Sequence, residues 1–224
     1  MPGKHPRLCV SCGQTVRRSD GPEQAGARLV CRNAWCASGR RPLDAVYAIG
    51  NYEGALRRAI VAYKYKGDLR WVRPFAMMLV GFLERHANWF EQYGVICPVP
   101  SFRGPGARRD FGHVELLCSE LATLAGPAWP VERLVSKKME TPPMSVKTQS
   151  ERRRSGRTVL RRAMTVPVGT VVDGSRILVV DDVCASGETL LAVAGALKAA
   201  GACEVSGLVL ARASWHDPLI SLRR

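Results

Sequence analysis

One stretch of the sequence, RILVVDDVCASGETLLAVAGALKAAG at Arg176–Gly201, constrains the fold more than any other. It joins an aliphatic run, Ile177–Val180, to two adjacent aspartates, a loop of small residues and an alanine- and leucine-rich helix. An aliphatic run without polar alternation is typical of a parallel strand covered on both faces. We therefore expect Asp181 and Asp182 at the carboxyl end of a central strand, the edge where open α/β sheets bind ligands.

The loop after the aspartates suits a monophosphate. Its residues are small enough for a phosphate to reach backbone N–H groups, and the N-terminus of the following helix favours an anion. Ser186 and Thr189 add hydroxyl donors. Carboxylates repel phosphate but suit sugar hydroxyls and a cation, and a turn at the strand end can bring both to one ligand. The pattern predicts a site for a sugar phosphate with bound Mg²⁺.

The rest of the chain alternates between strand and helix patterns, which favours a mostly parallel α/β sheet. We expect the helix EGALRRAIVAYKYKGD to stop at Gly67, and a longer helix to run from about Trp71 to Tyr93. Strands are predicted in DAVYAIGNY, GVICPVP, VERLV and CEVSGLVLA, and a further helix in HVELLCSELATLAG.

Four of the eight cysteines lie near the start of the chain, at Cys9, Cys12, Cys31 and Cys36. Two close pairs separated by a short loop can present four thiolates to one zinc ion. The segment between the pairs has few core residues, so a metal would have to hold it together. The alternative is a set of free cysteines. We expect a zinc-binding head over residues 1–42 and one α/β domain over residues 43–224.

The chain is strongly basic, with 33 Lys and Arg against 19 Asp and Glu and a formal net charge of +14. Six arginines lie between Arg152 and Arg162, within a basic segment, residues 136–162, that we expect to be flexible. This charge favours polyanionic partners such as nucleic acid, although an arginine-rich proteome would also explain it. Apolar stretches fall short of the ~18 residues of a membrane span. No signal peptide is recognisable, so we expect a cytoplasmic protein without membrane insertion.

The segment ILVVDDVCASGET resembles the signature of type I phosphoribosyltransferases. The resemblance implies that Asp181 and Asp182 bind the ribose of phosphoribosyl pyrophosphate (PRPP). It also implies that a loop holds the 5′-phosphate, formed here by Cys184, Ala185, Ser186, Gly187, Glu188 and Thr189. Receiver domains also begin with ILVVDD, but only 42 residues follow Asp182 in this 224-residue chain. That is too few to supply the phospho-acceptor of a receiver.

The cysteine head, YKYKGD, CPVPSFRGPGARRDFGH and the closing motif together resemble the ComF/ComFC family, which is linked to DNA uptake. This resemblance implies a type I phosphoribosyltransferase-like fold and a zinc-finger-like head. It also implies a pyrophosphate-binding loop at Val99, Pro100 and Ser101 with Arg109 nearby, assisted by Lys64 or Lys66. The segment Arg109–His113 departs from the family pattern Arg-Gly-Phe-Asn-Gln at three of five positions. We therefore expect binding of PRPP to be better preserved than turnover, and His113 to lie in a surface loop.

Three functions stay open at this point. The first is a phosphoribosyltransferase using PRPP and Mg²⁺, acting in DNA uptake or in nucleic-acid or nucleotide metabolism. The second is a non-catalytic zinc-containing protein that binds single-stranded DNA and uses the fold as a scaffold, in contact with the DNA-uptake machinery. The third is a regulatory protein that responds to PRPP through partner contacts.

Overall fold

The computed structural model describes residues 9, 11–13, 36, 42–105, 112–140 and 158–213. Its strands are β1 Val46–Asn51, β2 Val95–Pro98, β3 Ser136–Lys137, β4 Met164–Thr165, β5 Arg176–Cys184 and β6 Glu204–Arg212. Its helices are α1 Gly54–Lys66, α2 Val72–Arg85, α3 Ala87–Phe90, α4 His113–Ala125 and α5 Glu188–Ala199, with 3₁₀ turns at Leu69–Trp71 and Gly126–Ala128. Residues 158–163 are also helical.

The main sheet has four strands in the order β1-β6-β5-β2, and every neighbouring pair is parallel. The predicted parallel α/β architecture is therefore confirmed. The two-residue strands β3 and β4 form a separate antiparallel pair. The expected strand in VERLV is reduced to a single parallel bridge between Val131 and Ile96 at the edge of β2.

Strand β5 lies between β6 and β2, and Ile177, Leu178, Val179 and Val180 are fully buried. Asp181 and Asp182 lie in the carboxyl-terminal part of the strand as expected, but the strand continues to Cys184. Its ladder with β6 continues to Cys184, because β6 is also nine residues long and supplies partners throughout. Asp181 and Asp182 thus lie within the carboxyl-terminal half of a regular strand.

Helix α1 ends at Gly67 as predicted, with Gly67 in the left-handed region at φ 66°. The single helix predicted over Trp71–Tyr93 is wrong. Helix α2 ends at Arg85, and His86 leaves helical geometry before the short helix α3. His86 stacks on Trp89 with ring centroids 4.4 Å apart, and the changed direction of the chain buries Phe90 completely.

The core lies between the sheet and the helices. Helices α2 and α4 pack together, and their fully buried side chains include Leu79, Leu83, Leu117 and Leu121. No helix among the described residues is both long and apolar enough to cross a membrane. Of the basic segment 136–162, the central residues 141–157 lie outside the described part of the chain.

Candidate functional site

Asp182 lies at the centre of a buried polar cluster. Its side chain is 1% exposed. Lys64 Nζ on α1 lies 2.7 Å from Asp182 Oδ1 and 2.6 Å from Oδ2. His113 Nε2, at the first residue of α4, lies 2.9 Å from Oδ2, and the backbone N–H of Val183 donates to Oδ1 at 2.7 Å. The cluster joins two helices to β5 through one carboxylate.

Asp181 lies on the opposite face of the sheet from Asp182. A Cβ placed on Gly207 would lie 3.0 Å from Leu190 Cδ1, so Gly207 faces α5. Val179 is the register partner of Gly207, and alternation along the strand gives Asp181 the same face. The Asp181 carboxyl group bends towards its own backbone, and its Oδ1 accepts the backbone N–H of the next residue, Asp182, at 2.8 Å.

The environments of the two carboxyls push their pKa values apart. Burial raises the pKa of Asp181 to about 8, and the negative charge of Asp182 adds to the rise. Burial alone would also raise the pKa of Asp182, but the charge of Lys64 and the hydrogen bond from His113 lower it below its ordinary value. The pair therefore combines one carboxyl that holds its proton with one that is firmly ionised.

His113 does not lie in a surface loop, so that expectation is wrong. His113 is 8% exposed, and its side chain contacts Asp182. Its backbone carbonyl accepts the buried hydroxyl of Tyr63, and the Tyr63 and His113 rings meet edge to face. The loop ends one residue before His113, because α4 begins there. The histidine is thereby directed inward to Asp182.

The predicted phosphate loop connects β5 to α5. Cys184 is the last residue of β5, Ala185, Ser186 and Gly187 form the bend, and Glu188 and Thr189 open α5. Gly187 is the N-cap of α5 and adopts φ 79°. Among the described residues, no acceptor meets the backbone N–H groups of Ser186 and Gly187. Two N–H groups at the amino end of a twelve-residue helix are suited to an anion.

The predicted pyrophosphate loop begins beside the acid pair. The backbone N–H of Val99 donates to the Val180 carbonyl at 2.9 Å, and Pro100 and Ser101 follow. Glu115 on α4, which the sequence analysis did not single out, accepts both the backbone N–H of Ser101 at 2.9 Å and its hydroxyl at 3.1 Å. Glu115 is buried. It fixes this loop from within the protein, while Arg109 lies outside the described residues.

The cysteine head is described at three of its four predicted ligands. The sulfur atoms of Cys9, Cys12 and Cys36 all lie within 4.8 Å of one another, and all three residues are buried. Tetrahedral zinc with Zn–S bonds of about 2.3 Å places its sulfurs about 3.8 Å apart, so the three thiols fit such an ion. Cys31 lies outside the described residues.

Lys66 is exposed and Lys64 is half-buried, so the two lysines named for the pyrophosphate differ in the structure. Lys64 contacts Asp182. The only hint in the sequence of the contact between Lys64 and Asp182 was helical spacing. Lys64 follows Ile60 and Tyr63, which are apolar residues on the inner side of α1. Nothing in the sequence marks Glu115 as the partner of Ser101.

Comparison with known proteins identifies the region around this site. Residues 122–216, under half of the 224-residue chain, match the family described as "Phosphoribosyl transferase domain". The matched region contains the acid pair and the loop from Cys184 to Thr189. Over these residues the chain is phosphoribosyltransferase-like. No curated protein matches the chain significantly.

Solved structures give weaker likenesses. A hypoxanthine phosphoribosyltransferase from Staphylococcus aureus is 10% identical with a TM-score of 0.38, covering 63% of this chain and 62% of that one. A purine phosphoribosyltransferase from Pyrococcus horikoshii is 17% identical with a TM-score of 0.37, covering 65% and 89%. A phosphoribosylpyrophosphate synthetase from Mycobacterium smegmatis is 19% identical with a TM-score of 0.37, covering 64% and 34%. The chain thus spans less than two thirds of the first and third of these structures.

Proposed function

We propose that this chain binds PRPP together with Mg²⁺ at the carboxyl edge of its parallel sheet. The observation that carries the proposal is the convergence of three segments at that edge. These are the β2 loop from Val99, the acid pair on β5, and the loop from Cys184 to Thr189. The family match over residues 122–216 supports it.

Each segment has a chemical role in this proposal. The N–H groups of Ser186 and Gly187 hold the 5′-phosphate at the start of α5. Asp182 receives the ribose hydroxyls, while Asp181 on the opposite face of the sheet accepts the backbone N–H of Asp182. Mg²⁺ supplies charge neutralisation for the pyrophosphate. The loop at Val99, Pro100 and Ser101 receives the pyrophosphate, which Lys64 can approach once it leaves Asp182.

Isothermal titration of PRPP in the presence of Mg²⁺ tests the site. Wild type should bind, and Asp181→Asn/Asp182→Asn should lose at least about tenfold in affinity, because a hydrogen bond to a charged group such as the Asp182 carboxylate contributes that much. Asp173→Asn is the matched control, since Asp173 is exposed and precedes the amino end of β5. Equal affinity of the double variant and this control would contradict the site.

We also propose that Cys9, Cys12 and Cys36, with Cys31 as the fourth ligand, hold a structural zinc ion. The clustering of three buried thiols supports this. Elemental analysis of protein purified without chelator should find about one zinc per chain. Zinc far below that level in folded protein would contradict the metal head.

The biological role proposed is that of a ComF/ComFC protein in DNA uptake or nucleic-acid or nucleotide metabolism. The residues that carry the resemblance and the net charge of +14 support it. Fluorescence anisotropy with single-stranded DNA should show affinity that falls steeply with salt. DNA binding without PRPP binding would favour the scaffold alternative, and PRPP binding without DNA binding would favour a metabolic or regulatory role.

A further inference from the structure

Arg212, the last residue of β6, is a buried cation outside the acid-pair cluster. It is 4% exposed, and arginine is almost never fully buried without partners. Its guanidinium donates to four backbone carbonyl oxygens, namely those of Cys12 at 2.7 Å, Cys184 at 2.6 Å, Ala213 at 3.0 Å and Ala185. These acceptors come from three separate parts of the chain.

The first part is the cysteine turn. Arg212 Nε donates to the Cys12 carbonyl across 200 residues of sequence. The backbone N–H groups of Cys12 and Gly13 both donate to the Cys9 carbonyl, at 3.3 and 2.8 Å. Since Cys9 and Cys12 belong to the thiol cluster, the direction of the Cys12 carbonyl depends on how the cluster is held.

The second part is the start of the phosphate loop. Arg212 Nη1 donates to the carbonyls of Cys184 and Ala185, immediately before Ser186. The backbone N–H of Ala213 also donates to the Cys184 carbonyl at 3.0 Å. Fixing these two carbonyls fixes the peptide planes that lead to the Ser186 N–H group.

The chemistry of the guanidinium explains why an arginine holds this position. The planar guanidinium offers a fork of N–H donors in several fixed directions. A lysine ammonium has no such fork and cannot bridge the same separated carbonyls. A buried positive charge also complements the negative charge of metal-bound thiolates.

We propose that Arg212 couples the cysteine cluster to the phosphate loop, so that metal held by the cluster sets the geometry of the Ser186 and Gly187 N–H groups. The inference rests on the metal site and the phosphate role proposed above. It goes beyond them, because it makes phosphate binding depend on the metal head through one positioning residue. Loss or oxidation of the metal site would then weaken ligand binding.

Hydrogen exchange of the full-length protein tests the coupling without any need for PRPP. In wild type, chelation of zinc should raise exchange of the hydrogen-bonded amides of Glu188, Leu191 and Ala213, whose acceptors belong to Ser186, Gly187 and Cys184, by about tenfold or more. The loop that carries these acceptors would lose its own hydrogen bonds to a charged group. In Arg212→Lys these amides should exchange fast with zinc still bound, and chelation should add little. The amides of α2 serve as the internal reference for intact folding.

A matched variant and a second readout complete the experiment. Arg176→Lys, on a half-exposed arginine that lies 3.7 Å from Glu204 at the other end of β5, should behave as wild type. PRPP affinity should fall about tenfold in Arg212→Lys, by the same hydrogen-bond argument. Chelation that removes zinc from wild type but leaves exchange of the amides of Glu188, Leu191 and Ala213 unchanged would overturn the inference, as would folded protein without zinc. Coupled exchange without PRPP binding would support the inference and contradict only the proposed ligand.

Discussion

Lys64 Nζ lies 2.6 Å from Asp182 Oδ2 and joins α1 to the central strand across 118 residues of sequence. Burial alone would lower the pKa of Lys64, but the charges of Asp182 and Asp181 raise it. The ion pair therefore persists at neutral pH. It holds the Asp182 carboxylate in place on the inner side of α1.

Replacement of Lys64 should destabilise the fold. Lys64→Met leaves the buried Asp182 carboxylate without its cation and should lower the free energy of unfolding by about 1–3 kcal/mol, less than for a fully buried pair because Lys64 is partly exposed. Urea denaturation measures this change. Lys66→Met is the control, since Lys66 is exposed two residues away; similar losses in both variants would contradict the account.

The raised pKa of Asp181 predicts a specific pH dependence. The folded carboxyl keeps its proton to about pH 8, whereas an unfolded aspartate loses it near pH 4. The folded state binds more protons between these values, so the contribution of Asp181 to stability falls as pH rises through this window. Asp181→Asn removes that loss, and its stability relative to wild type should increase from pH 5 to pH 8.

Urea denaturation of wild type, Asp181→Asn and Asp173→Asn at both pH values checks the sign. Asp173 is exposed, so its substitution should change stability equally at pH 5 and pH 8. A pH-independent effect of Asp181→Asn would show that Asp181 is ionised in the folded protein throughout this range.

Much of this site could be predicted because its signals are local. The aliphatic run identified β5, and Gly67 marked the end of α1. The contacts of Asp182 with Lys64 and His113 join residues 118 and 69 positions apart. Periodicity shows which side of a helix is apolar, but it does not show which polar residue meets which partner. His113 was therefore misplaced, and Glu115 was missed.

The length of β5 could not be predicted from the local sequence either. The sequence placed Asp181 and Asp182 at the carboxyl end of the strand, but it did not show how far the strand continues beyond them. The ladder from β6 continues past both aspartates. Lys64 compensates the charge of Asp182, and His113 contacts the same carboxylate. The break at His86 has a similar origin, since the aromatic contacts that accompany it form only in the folded chain.

Glu115 should be more important to stability than its neighbour on the same helix. Glu115→Ala leaves the N–H and hydroxyl of Ser101 without their acceptor and should lower the free energy of unfolding by about 1–3 kcal/mol. Glu120 pairs with the exposed Arg73, so Glu120→Ala should change the free energy of unfolding by about 0.5 kcal/mol or less. Thermal and urea unfolding measure both variants. Equal stability of Glu115→Ala and Glu120→Ala would refute this role of Glu115.

Two glycines associated with α5 should respond to alanine in opposite directions. Gly187 adopts φ 79°, so Gly187→Ala should cost about 1–2 kcal/mol of stability through backbone strain. A Cβ on Gly195 would meet nothing within 4 Å, and Gly195→Ala should add about 0.4–1 kcal/mol. Urea denaturation of both variants measures the signs, and a stabilised Gly187→Ala would contradict the loop geometry.

The most direct test of the central claim follows the backbone amide resonances of the zinc-loaded protein during titration with PRPP and Mg²⁺. The resonances of Ser186 and Gly187 should shift and saturate, because their N–H groups gain the 5′-phosphate as acceptor. Those of Asp173 and Gly174, which precede β5 at the opposite edge, should stay in place. Absence of any shift at Ser186 and Gly187 at saturating PRPP would contradict the proposed site.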